Sequence, residues 1–261
     1  VTAPVLVLIA TVAMMAVIWL FSVRLRDASI VDIFWGAGFV LGAWLYFGLT
    51  EAATARKWMV AALVTAWGLR LTTHLFVRNH GKGEDYRYRA MREQHGPRFW
   101  WVSWWTVYLL QGLIMWVVGL PMWAAMRSPE PRALTWVDGL GLAVFLTGLF
   151  FETVGDRQLA RFKADPANEG KLLTNGLWRY TRHPNYFGDA LVWWGLTIIA
   201  LATPGAWWVL IPPALMTFLL MRVSGVALLE KRLRDSKPEF SDYVRRTNAF
   251  LPWFPRGPAK P

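Results

Sequence analysis

Long apolar runs separated by short polar, basic stretches dominate this chain, and seven of them are near the ~20 residues that a helix needs to cross ~30 Å of hydrocarbon. They fall at Val5 to Val23, Ile33 to Leu49, Trp58 to Val77, Trp104 to Met126, Leu134 to Phe151, Phe187 to Ala202 and Trp207 to Leu229, the second and sixth being short. The spacing predicts an all-α polytopic membrane protein of seven transmembrane helices. No basic segment precedes the first run and no small-residue cleavage site follows Trp19-Leu20-Phe21. It therefore reads as a retained helix rather than a signal peptide.

Charge orients these helices. Two Lys or Arg follow the first run, six the third, six the fifth and eight lie in the tail, whereas the intervening loops carry two, two and none. The positive-inside rule then places the N-terminus outside and the C-terminus in the cytoplasm. Net charge is +11. A nucleic-acid partner is excluded by where that charge falls, between membrane runs rather than on a soluble face. Many of the 18 Trp stand at run ends, among them Trp100, Trp101, Trp104, Trp105, Trp207 and Trp208, where indole anchors at the headgroup level. With no Cys and four scattered His, thiolate chemistry, disulfides and a metal site drop out. Neither an internal repeat nor a linker divides the chain, so 1–261 reads as a single transmembrane domain, with Pro252 to Pro261 as a frayed tail.

Polar chemistry gathers in two stretches, Arg78 to Phe99 and Glu152 to Tyr186. In the second, Asp156, Arg157, Arg161 and Lys163 continue the fifth helix, Asp165-Pro166 breaks it, and Asn175-Gly176 makes a turn. Arg179-Tyr180-Thr181-Arg182-His183-Pro184-Asn185-Tyr186 then leads into the sixth run. Guanidinium groups take phosphates in a fork, and Tyr and Asn add neutral donors, a composition suited to an anionic cofactor at the membrane surface. The alternative is a basic loop touching lipid headgroups. Headgroup attraction needs only charge, so the interleaved Asn, Tyr and Asp favour the cofactor.

The run Arg182-His183-Pro184-Asn185-Tyr186-Phe187-Gly188, preceded by Asn175-Gly176-Leu177-Trp178 and followed by Asp189, resembles the C-terminal region of the steroid 5α-reductase family, and more closely its bacterial branch of uncharacterised membrane proteins. Glu230-Lys231-Arg232, Tyr243 and Phe250-Leu251-Pro252-Trp253 fit the same pattern, so the resemblance covers about Leu140 to Pro255 and weakens toward the N-terminus. A related His-Pro-Tyr-Gly signature occurs in isoprenylcysteine and phospholipid methyltransferases.

What the resemblance implies is NADPH-dependent reduction of the enone C=C of a 3-oxo-Δ4 steroid or similar lipophilic substrate. The cofactor enters from the cytoplasm and the substrate from the bilayer, in a bacterial inner membrane. Residues 1–133 become the substrate-side helices and 134–255 the cofactor region, with a monomer as the simplest state. Positions matching the family's cofactor pattern are Asp156, Lys163, Lys171, Tyr180, Asn185 and Asp189, with Arg161, Arg179, Arg182, His183, Arg222 and Glu230 as additions. Gly36-Ala37-Gly38 with Gly42 lacks the strand-to-helix setting of a dinucleotide fingerprint and reads as close helix packing.

Enone reduction also needs an acid for the carbonyl. Asp32 enters the second run and is the candidate, desolvation favouring its protonated, donating form. Its other reading is a helix N-cap. Family members commonly carry a Gln-Glu pair in this neighbourhood; Val31-Asp32 stands here. Where they place a Tyr on the third helix this chain has Trp67, so Tyr86, Tyr88 or His80 substitutes. Arg70 and His74 lie a turn apart on the third run, facing a cavity, a carboxylate or the cofactor. Arg222 and Glu230 lie about two turns apart on roughly one face, which lines the cofactor chamber or makes an Arg-carboxylate bridge between helices. Gln111 lines a substrate pocket or bonds between helices. Two other classes stay open: an S-adenosylmethionine-dependent membrane methyltransferase, whose cofactor lacks phosphate, and a lipid-binding or transport protein.

Overall fold

In the computed structural model, which describes residues 2–52, 54–223 and 225–257, every regular element is helical among the described residues. Six helical segments are long and apolar enough to cross a membrane: Ala3–Leu25, Ile30–Leu49, Ala55–Asn79, Tyr86–Arg127, Trp136–Ala164 and Trp207–Ser236. Exposed Ile9, Leu20, Phe21, Leu69, Phe76, Leu140, Leu146 and Phe150 give these helices the outward apolar surface that lipid solvates. The chain thus has the helices of an integral membrane protein. The run expected at Phe187 to Ala202 is also helical, within Pro184–Leu201, and its first turns carry Asn185 and Asp189, which lower its apolar content.

Two compact units divide the chain. The first comprises Val1–Thr135 with Ala200–Pro212, the second Trp136–Ile199 with Pro213–Pro261.

In the first unit, α1 (Ala3–Leu25) ends where Arg26 takes a left-handed φ of 54°, turning the chain into α2 (Ile30–Leu49). Helix α2 packs most extensively on α3 (Ala55–Asn79). Gly36 and Gly68 make that contact possible, since a Cβ on either would strike the other's backbone carbonyl. The small residues of the second run therefore serve helix packing. Helix α4 (Tyr86–His95), capped by Asp85, leads through α5 (Phe99–Ser103), a π-helical turn (Trp104–Leu109) and α6 (Leu110–Val118) to α7 (Leu120–Arg127). Met15, Phe39, Tyr46, Val60, Val64, Trp67, Tyr108, Met115 and Met122 fill this unit's core.

In the second unit, α8 (Trp136–Ala164) runs 29 residues and stops where Asp165 caps a short turn at Pro166–Asn168. Helix α9 (Pro184–Leu201) lies against it through glycines. A Cβ on Gly141 would meet Gly195 and Ile199, one on Gly148 would meet Gly188 and Val192, and one on Gly155 would meet Pro184 and Asn185. The two helices thus approach closely from Gly141 to Gly155. The last apolar run is interrupted: α10 (Ile211–Phe218) passes into a π-helical turn at Leu219–Val223, and α11 (Val226–Ser236) starts afresh from Gly225. Any Cβ on Gly225 would strike the Leu220 carbonyl and lie 3.2 Å from the Tyr186 ring. The single regular helix assumed for Arg222 and Glu230 does not form. Arg222 is exposed and Glu230 buried. After α12 (Phe240–Arg246), residues 248–257 form no helix and are bonded to the rest of the unit, the Trp253 amide donating to the Tyr180 carbonyl at 2.9 Å. A frayed end is thereby corrected for Pro252 to Gly257; residues 258–261 lie outside the described residues.

Candidate functional site

Polar side chains concentrate in one cluster in each unit. The first is built where the α1–α2 turn meets the segment before α4. The Ala28 amide donates to Glu84 Oε1 at 2.8 Å, the Asp85 amide to Ser29 Oγ at 3.2 Å, and the Tyr108 hydroxyl to the Ala28 carbonyl at 3.1 Å. Arg92 grips both Glu84 oxygens at 2.8 and 2.9 Å. Burial pushes the Glu84 carboxyl up, but the hydrogen bonds from Arg92 and Ala28 and the Arg92 and Arg89 charges outweigh it, leaving the group below the ordinary carboxylate value. Asp85 is also held low: burial is offset by the side-chain and backbone hydrogen bonds of Arg87 and by its charge.

This clamp sets the start of α4 on the start of α2. Arg87 bridges Asp85 at 2.9 Å and Asp32 Oδ2 at 2.6 Å. The Tyr88 hydroxyl donates to Asp32 Oδ1 at 2.7 Å. From α6, Gln111 Nε2 donates to the Tyr88 oxygen at 3.2 Å, while the Trp35 indole donates to Gln111 Oε1 at 2.5 Å. Indole has only a donor, so it orients the Gln111 amide unambiguously and turns the NH2 toward Tyr88. The Tyr88 oxygen thus accepts one hydrogen while its own points at Asp32.

Asp32 is not the helix cap. Ser29 occupies the N-cap position and the Asp32 carboxylate is turned to Arg87 and Tyr88. Nor is it placed as the donor expected from desolvation, because both oxygens already accept; the transferable proton sits on Tyr88. Of the sequence candidates, Asp32 and Tyr88 are brought together. His80 is exposed at the end of α3 with its ring 5.3 Å from Phe76, away from the Asp32–Tyr88 hydrogen bond. Trp67 is fully buried against Phe39, and Arg70 and His74 are half-buried on α3. Sequence reasoning left out Arg87 and Trp35. The signal was Asp85, an N-cap residue whose first turn must contain Arg87 and Tyr88.

The second cluster sits where the glycine contacts bring α8 against the start of α9. Asn185 Nδ2 donates to Asp156 Oδ1 at 3.1 Å and its Oδ1 accepts the Tyr186 amide at 3.1 Å. Asp156 is buried, Asn185 and Asp189 half-buried. Trp178 fixes the connecting segment through its indole to the Gly155 carbonyl at 3.1 Å. Arg161 and Lys163 at the end of α8, and Lys171, Arg179 and Tyr180 in the segment between α8 and α9, are all exposed.

Arg182, His183 and Glu230 do different work. The Arg182 guanidinium is buried, binds Glu230 at 2.7 and 2.8 Å, and donates to the carbonyls of Val244 and Thr247 at the end of α12. His183 Nε2 lies 3.2 Å from the same Glu230 oxygen and its ring stacks on Tyr186. Of the basic groups expected to take phosphate, Arg182 is thus spent inside the fold, and with His183 and Glu230 it ties the start of α9 to α11 and α12. Tyr243 completes the lock with a hydroxyl bond to the Trp178 carbonyl, and burial pushes its phenol up. Among the described residues no group of three or more His, Asp or Glu could hold a metal ion.

Residues 18–247 match the family described as "Protein of unknown function (DUF1295)". An uncharacterized protein of Schizosaccharomyces pombe is 28% identical over 205 residues, 68% of this chain and 58% of that one. The steroid 5-alpha-reductase DET2 of Arabidopsis thaliana is 30% identical over 70 residues, 27% of each chain. The Delta(14)-sterol reductase LBR of Gallus gallus is 35% identical over 96 residues, 33% of this chain and 14% of that protein. The matches thus span 58% or less of these relatives' lengths. No solved structure matches the chain.

Proposed function

This chain belongs to the DUF1295 family, with distant similarity to steroid and sterol reductases, and from that membership we propose that it is a membrane reductase using NADPH to saturate the enone C=C of a lipophilic substrate, a 3-oxo-Δ4 steroid being the type case. The observation that carries the reading is the Tyr88–Asp32 pair, a buried phenol aimed at a carboxylate and oriented by Gln111. Reduction at the β-carbon of an enone builds negative charge on the carbonyl oxygen. A phenol and a guanidinium beside that oxygen stabilise it in the transition state more than in the ground state. On substrate binding the single Tyr88 O–H turns from Asp32 to the developing enolate oxygen, with Gln111 holding the phenol oxygen and Arg87 balancing the Asp32 carboxylate. The enolate then takes a proton from solvent at the α-carbon, and the Tyr88 O–H returns to Asp32, which completes the product.

NADPH, when bound, supplies the hydride. The donor set of the second unit fits it: exposed Arg161, Lys163, Lys171 and Arg179 suit its phosphates, while Asn185 with Asp156 and Asp189 suits amide and ribose hydroxyls. Tyr180 offers a further donor. Arg182, His183 and Glu230 act from behind, holding the segment that carries Asn185. In the same reading α9 is a seventh crossing, the N-terminus lies outside and the cofactor side faces the cytoplasm of a bacterial inner membrane. The lipophilic substrate enters from the bilayer, and a single copy suffices.

Two measurements test this. Purified protein in detergent gains thermal stability from NADPH and not from S-adenosylmethionine; the opposite result makes the chain a methyltransferase. Membranes incubated with NADPH and progesterone or testosterone yield a product heavier by two hydrogens, and a panel of enone lipids extends the search if steroids fail.

A further inference from the structure

Residues 248–257 have no helix, yet their backbone is tied along its length. The Asn248 carbonyl accepts the Arg182 amide at 2.9 Å, Thr181 Oγ1 donates to the Phe250 carbonyl at 2.8 Å, the Trp253 amide donates to Tyr180, and the Arg256 amide donates to the Arg246 carbonyl at 2.9 Å. From this fixed strap three large apolar side chains project: Leu251, 65% exposed, Trp253, 69%, and Phe254, 76%. Holding a Leu, a Trp and a Phe rigidly in water has a standing hydrophobic cost.

Two further observations say what covers them. Arg179, Arg246 and Arg256 are exposed on the segments bonded to the strap, and the nearby Asp242 is already paired with Arg245 and Arg246 at 3.0 and 2.9 Å. The surface is therefore cationic around an aromatic centre. Ring contacts also run from Phe150 to Phe151 at 5.8 Å, on to Phe187 at 5.1 Å and to Phe250 at 5.8 Å. Phe150 is an exposed residue of the last apolar turn of α8, just before Glu152 begins its polar end. The ring contacts thus join the apolar-to-polar boundary of α8 to Phe250 at the start of the strap.

We propose that Leu251, Trp253 and Phe254 insert into the interfacial layer of an anionic bilayer, with Arg246 and Arg256 on the lipid phosphates, so that the strap is a second membrane contact alongside the crossing helices. The arrangement pins the segment bearing Tyr180, Thr181 and Arg182 to the bilayer surface from its outer side.

The chain contains no Cys, so single cysteines report cleanly. Phe254→Cys, Leu251→Cys and, as an aqueous control on α11, Ser236→Cys are labelled with a nitroxide in the full-length protein. Each is reconstituted in nanodiscs of phosphatidylcholine alone or mixed with phosphatidylglycerol. Collision rates with oxygen and with a water-soluble nickel chelate are then read by power saturation. Labels at 251 and 254 favour oxygen over nickel, the label at 236 the reverse, and the contrast grows when phosphatidylglycerol is present. Replacing Arg246 and Arg256 by Gln removes that lipid dependence. Nickel access at 251 and 254 equal to that at 236 overturns the proposal, as does protection of both labels from both reagents, which would mark a covering protein surface. These readouts do not depend on enzymatic activity.

Discussion

Tyr88 is where the chemistry narrows to one group. Its oxygen accepts from Gln111 and its hydrogen goes to Asp32, so it is the member of the cluster with a proton to share. Tyr88→Phe is expected to lower turnover by about 10²-fold or more, the usual scale for a lost general acid, with NADPH stabilisation unchanged. Asp32→Asn lowers turnover more than cofactor affinity; full activity in either variant would remove the pair from the mechanism. Asn185→Ala and Lys171→Ala weaken NADPH stabilisation in the same thermal assay. Arg182 and Arg179 give a contrast. Arg182→Ala strands buried Glu230 and is expected to cost about 3–5 kcal/mol, whereas exposed Arg179→Ala changes stability by about 0.5 kcal/mol or less, both read from unfolding in detergent. Sequence motif reading placed both arginines at the cofactor. Residue type shows what a guanidinium can bind, but the partner that consumed Arg182 lies 48 positions away.

Glu84 makes the clamp sensitive to acid. Its folded value is depressed, so its contribution is fully present above the ordinary carboxylate value of about 4.3 and is lost as pH falls through the lower folded value. Wild-type protein should therefore lose stability on acidification over that window. Glu84→Gln should show a flatter profile there and a lower plateau at neutral pH; identical slopes would deny Glu84 this part.

Helices fail or hold for reasons that differ along the chain. Helix α8 meets α9 through small residues recurring every seventh position, Gly141, Gly148 and Gly155, against Gly188 and Gly195. Gly188→Ala forces a methyl onto the Glu152 amide and the Gly148 carbonyl. It should cost about 1–3 kcal/mol and loosen Asp156 from Asn185, checked by a lower unfolding midpoint together with weaker NADPH stabilisation. The end of α8 at Asp165-Pro166 and the turn at Gly176, whose φ is 60°, were legible because Pro and Gly act through their own backbone. The break between α10 and α11 was not, since an unbroken apolar run carries no mark of a π-helical turn.

Across the full length, the six crossing segments and the charge asymmetry constrain the topology. If α9 is the seventh crossing, cysteines introduced at Ser128 and Ser236 react with impermeant maleimides from opposite faces of the membrane, and labelling of both from one face leaves six crossings. The all-helical, lipid-solvated character of the protein followed from neighbours in the chain, because the bilayer acts on each stretch where it stands and rewards any run of ~20 apolar residues. Assembly of Asp32 with Tyr88, 56 positions apart, and of Arg182 with Glu230 followed instead from which helices pack. Glycine contacts and the clamp around Glu84 settle that packing, and they are properties of facing surfaces that no single segment carries.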